Sequence, residues 1–193
     1  MNMLRTFLLL SFLSISASAY PQMMTTIEWQ SGPAAGDTIY YSPDSKLVWR
    51  DFQADPDKKS IAAAITASGF GYSMSMKTHG NKSQLQITVY CFFNRKNSWV
   101  KPGMRSDYAL THEQHHFDIT YIATSLFVKR LKEANFTLAN YESLLEKIND
   151  QSYSDLEKMQ NDYDGQTKNG QLKDVQAEWN KRIDMQLATM VIN

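Results

Sequence analysis

A chain of 193 residues suits one domain and is short for two. Lys plus Arg number 20 and Asp plus Glu number 20, a formal charge of +0 that supplies neither a basic face for nucleic acid nor a polybasic surface for a membrane. With 42% hydrophobic residues the chain can bury a core, and with one cysteine it can form neither an intrachain disulfide nor a cysteine-based zinc ribbon.

Residues 1–19 have the order of a secretory signal peptide. Arg5 gives a positive start, Thr6 to Ile15 is a short apolar run, and Ala17-Ser18-Ala19 offers small residues at a cleavage site. The run is shorter than the roughly 20 apolar residues of a membrane span. No cysteine follows it to carry a lipid anchor. The expectation is a secreted or periplasmic protein that starts near Tyr20, with no membrane attachment after cleavage and residues 20–193 forming a single domain.

The first half is strand-like and punctuated. Thr25–Trp29 and Thr38–Tyr41 are short β-branched and aromatic runs, separated by Ser31-Gly32-Pro33 and Ala35-Gly36-Asp37 turn chemistry. Leu47–Phe52 reads as a short strand or an ordered loop, and Asp55-Pro56-Asp57 as a turn. Ile61–Ala67 fits helix or strand by composition, with strand the preferred reading. Phe70–Lys77 and Gln84–Phe93 form a hairpin around Thr78–Lys82. Cys91 lies inside the second of these, with no local base to activate it, so it reads as a buried apolar side chain.

The second half has helical periodicity. One helix starts at Ser106 or Asp107 and runs to about Ala134. A second starts near Thr137 and carries Leu138, Tyr141, Leu145, Ile148, Leu156, Met159 and Tyr163, with an interruption expected around Gln151–Tyr153. Asp164–Gly170 reads as a loop. A last helix carries Val175, Trp179, Ile183, Leu187 and Val191 at a spacing of four. The fold class is α+β, an N-terminal antiparallel sheet followed by three C-terminal helices.

Three of the four histidines fall in His112-Glu113-Gln114-His115-His116. His112 and His116 project from one helical face, one turn apart. Two neutral imidazoles at that spacing can bind one Zn²⁺, and Glu113 beside them can act as general base toward a metal-activated water. A catalytic zinc needs a third protein ligand. Glu133 lies several turns along the same helix, out of reach. Asp155, Asp162 and Asp164 on the later helices are carboxylate alternatives. His115 reads as a supporting residue beside the ligands or an ordinary surface histidine; Asp118 lies three after it and could pair with it or orient another ligand, since metal-binding imidazoles donate their second N–H to a carboxylate or carbonyl. His79 reads as a surface turn residue. Tyr108, Tyr121 and Tyr163 are candidate hydroxyl donors, with helix packing the default for each. Trp49, Trp99 and Trp179 read as core anchors. Asn81-Lys82-Ser83 and Asn135-Phe136-Thr137 match the N-glycosylation sequon.

The string from His112 to Thr120 resembles the H-E-Q-x-H-F-D-I segment of a bacterial family described as predicted secreted zinc-dependent proteases. Val48–Phe52 resembles its early Trp-x-x-Phe element, Lys96–Val100 its Lys-x-Ser-Trp-Val element, Tyr163-Asp164 its Tyr-Asp element and Gln176–Asn180 its Gln-x-x-Trp-Asn element. The likeness spans most of the mature chain in matching order. It implies a zincin-like domain that hydrolyses peptide or protein substrates with Zn²⁺ as cofactor. One element departs. Similar sequences tend to show Glu-Thr-x-His-Gly where this chain has Gln166-Thr167-Lys168-Asn169-Gly170, so Asn169 occupies a position where a histidine would be a stronger ligand. Two functions follow: a secreted metallopeptidase with Asp164 or Asn169 completing the site, or a non-catalytic exported binding module with a degenerate metal site. Nothing in the sequence fixes the substrate or the oligomeric state.

Overall fold

Alternation decides the sheet. Strand β5 (Lys82–Asn94) buries Leu85, Ile87, Val89, Cys91 and Phe93 on one face and turns the residues between them outward. This is the computed structural model of the chain, and it describes residues 22–30, 32 and 36–190. The expected signal peptide at 1–19, the start near Tyr20, the turn residues Ser31, Pro33 and Ala35, and Val191 of the last stripe lie outside the described residues.

Strand β4 (Ser68–His79) pairs antiparallel with β5 through a two-residue turn at Gly80-Asn81. Gly80 adopts φ 60°, which that turn requires and a side chain disfavours. Strand β2 (Thr38–Tyr40) also runs antiparallel to β5. Strand β1 (Gln22–Trp29) runs parallel to it, with Gln22 opposite Lys82 and Trp29 opposite Val89. The sheet is therefore mixed where an antiparallel one was expected. Side-chain alternation is identical for both pairings, so the pattern of β1 carries no direction. A second, two-stranded sheet joins β3 (Ala64–Ile65) to β6 (Trp99–Val100). The strand expected over Ile61–Ala67 is thus reduced to two residues. Leu47–Phe52 is an ordered loop holding a 3-10 turn at Trp49–Asp51, where the Val48 N–H donates to the Asp51 carboxylate at 2.9 Å.

Three helices follow. Helix α1 (Asp107–Glu133) is capped by Ser106, whose hydroxyl accepts the Ala109 N–H at 3.1 Å. It contacts β4 and β5 as well as α2 (Tyr141–Thr167) and α3 (Lys173–Met190), so it lies between the sheet and the other two helices. Polar residues on α1 are buried for that reason. Helix α2 starts after a Thr137–Asn140 turn and is unbroken through Gln151–Tyr153. Ser152 fits there because its hydroxyl donates to the Ile148 carbonyl and accepts from Arg130, each at 2.8 Å. The helix also continues through Asp164 to Thr167, across the first part of the expected loop.

The main core sets Phe70, Leu85, Ile87 and Val89 of the sheet against Ile119, Ile122, Phe127 and Leu131 of α1. Leu145, Leu156 and Tyr163 of α2 and Trp179 and Ile183 of α3 close it from the other side. Each fully buried large side chain contributes about 1.5–3 kcal/mol. A smaller cluster gathers Leu47, Phe52, Cys91, Phe93 and Phe117. Cys91 is a buried thiol there, and burial pushes its pKa far above the ordinary value. Trp99 and Trp179 are buried, and Trp49 packs on Phe52 at 5.0 Å between ring centroids. Among the described residues, no helix is long and apolar enough to cross a membrane.

Candidate metal centre

Helix α1 presents His112 and His116 one turn apart, with ring centroids 4.8 Å apart. Their Nε2 atoms lie 3.2 Å from each other. Helix α2 brings Asp164 against both: Oδ1 is 3.2 Å from the His112 Nε2 and 3.1 Å from the His116 Nε2. Because α2 extends past residue 163, Asp164 is held on a rigid helix rather than on the loop the sequence suggested. Tyr163, fully buried, stacks on His112 at 4.8 Å and meets His116 edge-on at 4.9 Å, which fixes both rings.

The hydrogen-bond network determines the imidazole tautomers. Gln160 donates from Nε2 to the His116 carbonyl at 2.9 Å, so its Oε1 is the atom that faces the His116 Nδ1 at 2.5 Å. Gln176 donates from Nε2 to Tyr163 Oη and Asn180 Oδ1, so its Oε1 faces the His112 Nδ1 at 2.8 Å. Both Nδ1 atoms must then carry the hydrogen, which leaves both Nε2 atoms as bare lone pairs. The buried Asp164 Oδ1 has no hydrogen-bond donor either.

With both rings neutral, three acceptors converge with no hydrogen between them. Burial pushes the Asp164 carboxyl up, but its contacts with His112 and His116 outweigh that and hold it well below the usual carboxylate range. Burial likewise opposes charge on His116, yet Asp164 and Glu113 outweigh it and raise its pKa. Both effects favour a positive charge among the three atoms, which a proton on His116 or a bound cation supplies. In a tetrahedral zinc site with bonds of about 2.0–2.1 Å, ligand atoms lie about 3.3 Å apart. The observed 3.1, 3.2 and 3.2 Å fit that donor set of two imidazoles and a carboxylate.

Glu113 projects to the side, toward β3. The Thr66 hydroxyl lies 2.7 Å from its Oε2 and donates to it. A cleft of ≈ 670 Å³ opens over these groups and is lined by His112, Glu113, His116 and Asp164. One wall is Ala62–Thr66; the other is α2. The strand beside the site is therefore β3, whereas β5 lies inside its sheet with partners on both sides.

Several sequence candidates are redirected. Asn169 lines the same cleft, but the oxygen beside the imidazoles belongs to Asp164, and the Asn169 main-chain N–H donates to the Asp164 carbonyl at 2.9 Å. Asp155 pairs with Arg130, Asp162 with Lys158 and Glu133 with Lys129. His115 and Asp118 do not support the ligands. They point to the opposite side of α1, where Asp118 accepts from Tyr41 at 2.9 Å and Gln114 at 2.8 Å and lies 3.3 Å from the His115 Nδ1. His115 is buried, and desolvation lowers its pKa despite that carboxylate. The supporting partners are Gln160 and Gln176, which the motif gave no reason to choose, although Gln176 heads the Gln-x-x-Trp-Asn element. Tyr163 donates to the His112 carbonyl at 3.3 Å and Tyr108 to the Gly170 carbonyl at 2.5 Å, while Tyr121 stacks on Tyr41 outside the cleft lining, so none is a free hydroxyl donor in the cleft. His79 is exposed at the end of β4, outside the cleft lining.

A turn of three left-handed residues ends α2: Lys168 and Asn169 at φ 52° and Gly170 at φ 76°. A Cβ on Gly170 would sit 3.2 Å from the His112 Nδ1. Gly170→Ala is therefore expected to lower stability by about 1–2 kcal/mol from the backbone alone, read by denaturant unfolding. It should also weaken metal retention, because His112 would have to shift.

Compared with known proteins, the chain matches no family model, no curated protein and no solved structure.

Proposed function

We propose that the chain is a zinc-dependent peptidase exported from the cytoplasm, to the periplasm or beyond, with a zincin-like active-site helix. His112, His116 and Asp164 hold the metal, and Glu113 is the general base. The observation that carries this reading is the set of three lone-pair atoms 3.1–3.2 Å apart, two of them fixed as acceptors by Gln160 and Gln176. A buried cluster of bare acceptors is costly unless a cation fills it.

Zinc, when bound, supplies Lewis acidity, bringing a water's pKa near neutrality and polarising a carbonyl. The chain's own residues do the rest. Glu113, beside the ligands and oriented by Thr66, takes a proton from water and returns it to the leaving amine. Gln160 and Gln176 keep both imidazoles in the donor-ready tautomer. The main chain of Ala62–Thr66 borders the cleft as a short strand edge. Pairing with β6 uses the Ala63 carbonyl, which accepts the Lys101 N–H at 2.8 Å. In an antiparallel pair the next residue points its N–H and C=O the other way, so Ala64 offers both to an extended peptide.

Elemental analysis of purified protein tests the reading together with hydrolysis of a mixed peptide substrate. The expected result is one zinc per chain, with cleavage lost on chelation and restored by Zn²⁺. Protein that binds no zinc sinks the proposal. Stoichiometric zinc without cleavage leaves the binding-module reading in its place.

A further inference from the structure

Apart from the two imidazoles, the charge-bearing side chains that form the floor and α2 wall of the cleft are carboxylates. Its lining includes Glu113, Glu157 and Asp164 but no lysine or arginine. Two of those carboxylates are engaged, Glu113 with Thr66 and Asp164 with the imidazoles. Glu157 is different. It is exposed at the cleft wall, and among the described residues no hydrogen bond or ion pair engages it. The neighbouring Lys158 is turned to Asp162 instead.

Position gives this carboxylate a specific reach. Glu157, Gln160, Asn161 and Asp164 share one face of α2 and line one wall. Glu157 precedes Asp164 by two helical turns, which is about 10 Å along the axis. An extended peptide advances about 3.3 Å per residue, so about 10 Å corresponds to roughly three residues. The opposite wall, Ala62–Ile65, is small and apolar and offers no competing charge.

We propose that Glu157 selects a lysine or arginine side chain two or three residues from the scissile bond. The same charge pattern argues against a carboxy-terminal exopeptidase. A carboxy-terminal exopeptidase needs a fixed cation for the substrate's terminal carboxylate, which this lining lacks. This inference rests on the peptidase reading of the same cleft.

The test uses peptides blocked at both termini that carry Lys, Gln or Glu in turn at each of the three positions on either side of the cleaved bond. Hydrolysis is followed with the zinc-loaded protein. Binding of the same peptides to zinc-loaded Glu113→Gln protein is followed by fluorescence anisotropy. Because Glu157 is exposed, the expected preference is modest, roughly three- to tenfold for Lys over Glu at one position, and it should shrink in high salt. Glu157→Gln should bring that ratio to near one while leaving the Gln peptide unchanged. Equal handling of Lys and Glu at every position overturns the proposal, as does a preference that survives Glu157→Gln. A protein that cuts none of the peptides but binds the Lys series through Glu157 keeps the recognition and loses the peptidase reading. One that neither cuts nor binds loses both. Peptides with a free carboxylate next to the cut should be poorer substrates than their amidated forms; the reverse result overturns the argument against a carboxy-terminal exopeptidase.

Discussion

Asp164→Asn is expected to abolish zinc binding and, at the same time, to leave the metal-free protein at least as stable as the wild type. The two effects come from one atom. In the wild type with both rings neutral, Oδ1 faces two bare Nε2 lone pairs at 3.1 and 3.2 Å, so without a cation three acceptors crowd each other. A carboxamide in that place can turn its NH₂ toward the pair and donate one hydrogen to each ring. Each hydrogen bond gained where an acceptor was unsatisfied is worth about 1 kcal/mol, so the metal-free midpoint at pH 8 should be unchanged or higher by a few degrees. Zinc affinity should fall by more than about 100-fold. That exceeds the roughly 10–100-fold expected from losing an outer partner, as in Gln176→Ala. Competition against a chromogenic chelator measures the affinity, and thermal unfolding with and without Zn²⁺ measures the stability. Asp155→Ala, which removes only the partner of Arg130, is the control and should retain zinc. Retained stoichiometric zinc in Asp164→Asn would remove Asp164 from the ligand set.

The sequence made the two imidazoles legible because their relation is local. A spacing of four on a helix fixes two side chains without reference to any other segment, and Ser106 marks where that helix starts. The third donor was legible only as a short set of carboxylates. Which of Asp155, Asp162 and Asp164 turns inward depends on the angular phase of α2 against α1, and a helix pattern alone does not set that phase. The composition of Asp164–Gly170 also obscured it. Gly165 and the polar residues after it look like a loop, yet the helix persists because Thr167 folds its hydroxyl back to the Tyr163 carbonyl at 2.7 Å and then accepts the Gly170 N–H. Gln160 left no trace in the sequence, since a glutamine on an exposed-looking helix face is ordinary until a histidine is found opposite. The spacing of three already allowed His115 to pair with Asp118, but their burial depends on α1 being covered on both sides. The same logic applies to the sheet. Alternation marked the strands and the β4–β5 hairpin, whereas the parallel pairing of β1 depends on how a long connection returns.

Glu113→Gln is expected to leave zinc content and thermal stability near wild type and to lower kcat by about 10²–10⁴. The substitution keeps the shape of the side chain. A glutamine oxygen can still accept from the Thr66 hydroxyl, so the contact between α1 and the β3 segment survives. What is lost is the ability to take a proton. Because Glu113 is not among the atoms that face Asp164, the metal should stay. The pattern expected of a general base is therefore a fall in kcat with KM and zinc unchanged. Thr66→Val provides the companion result. It removes the hydroxyl that orients Glu113 but not the carboxylate, so its loss in kcat should be smaller, about tenfold. Combined with Glu113→Gln it should cost little more, since the group it positions is already inert. Zinc analysis, unfolding curves and steady-state kinetics on one peptide substrate read all of this. If Glu113→Gln cleaves at the wild-type rate with zinc bound, Glu113 is not the base. If the variant loses its zinc, Glu113 belongs to the metal site instead of the proton transfer.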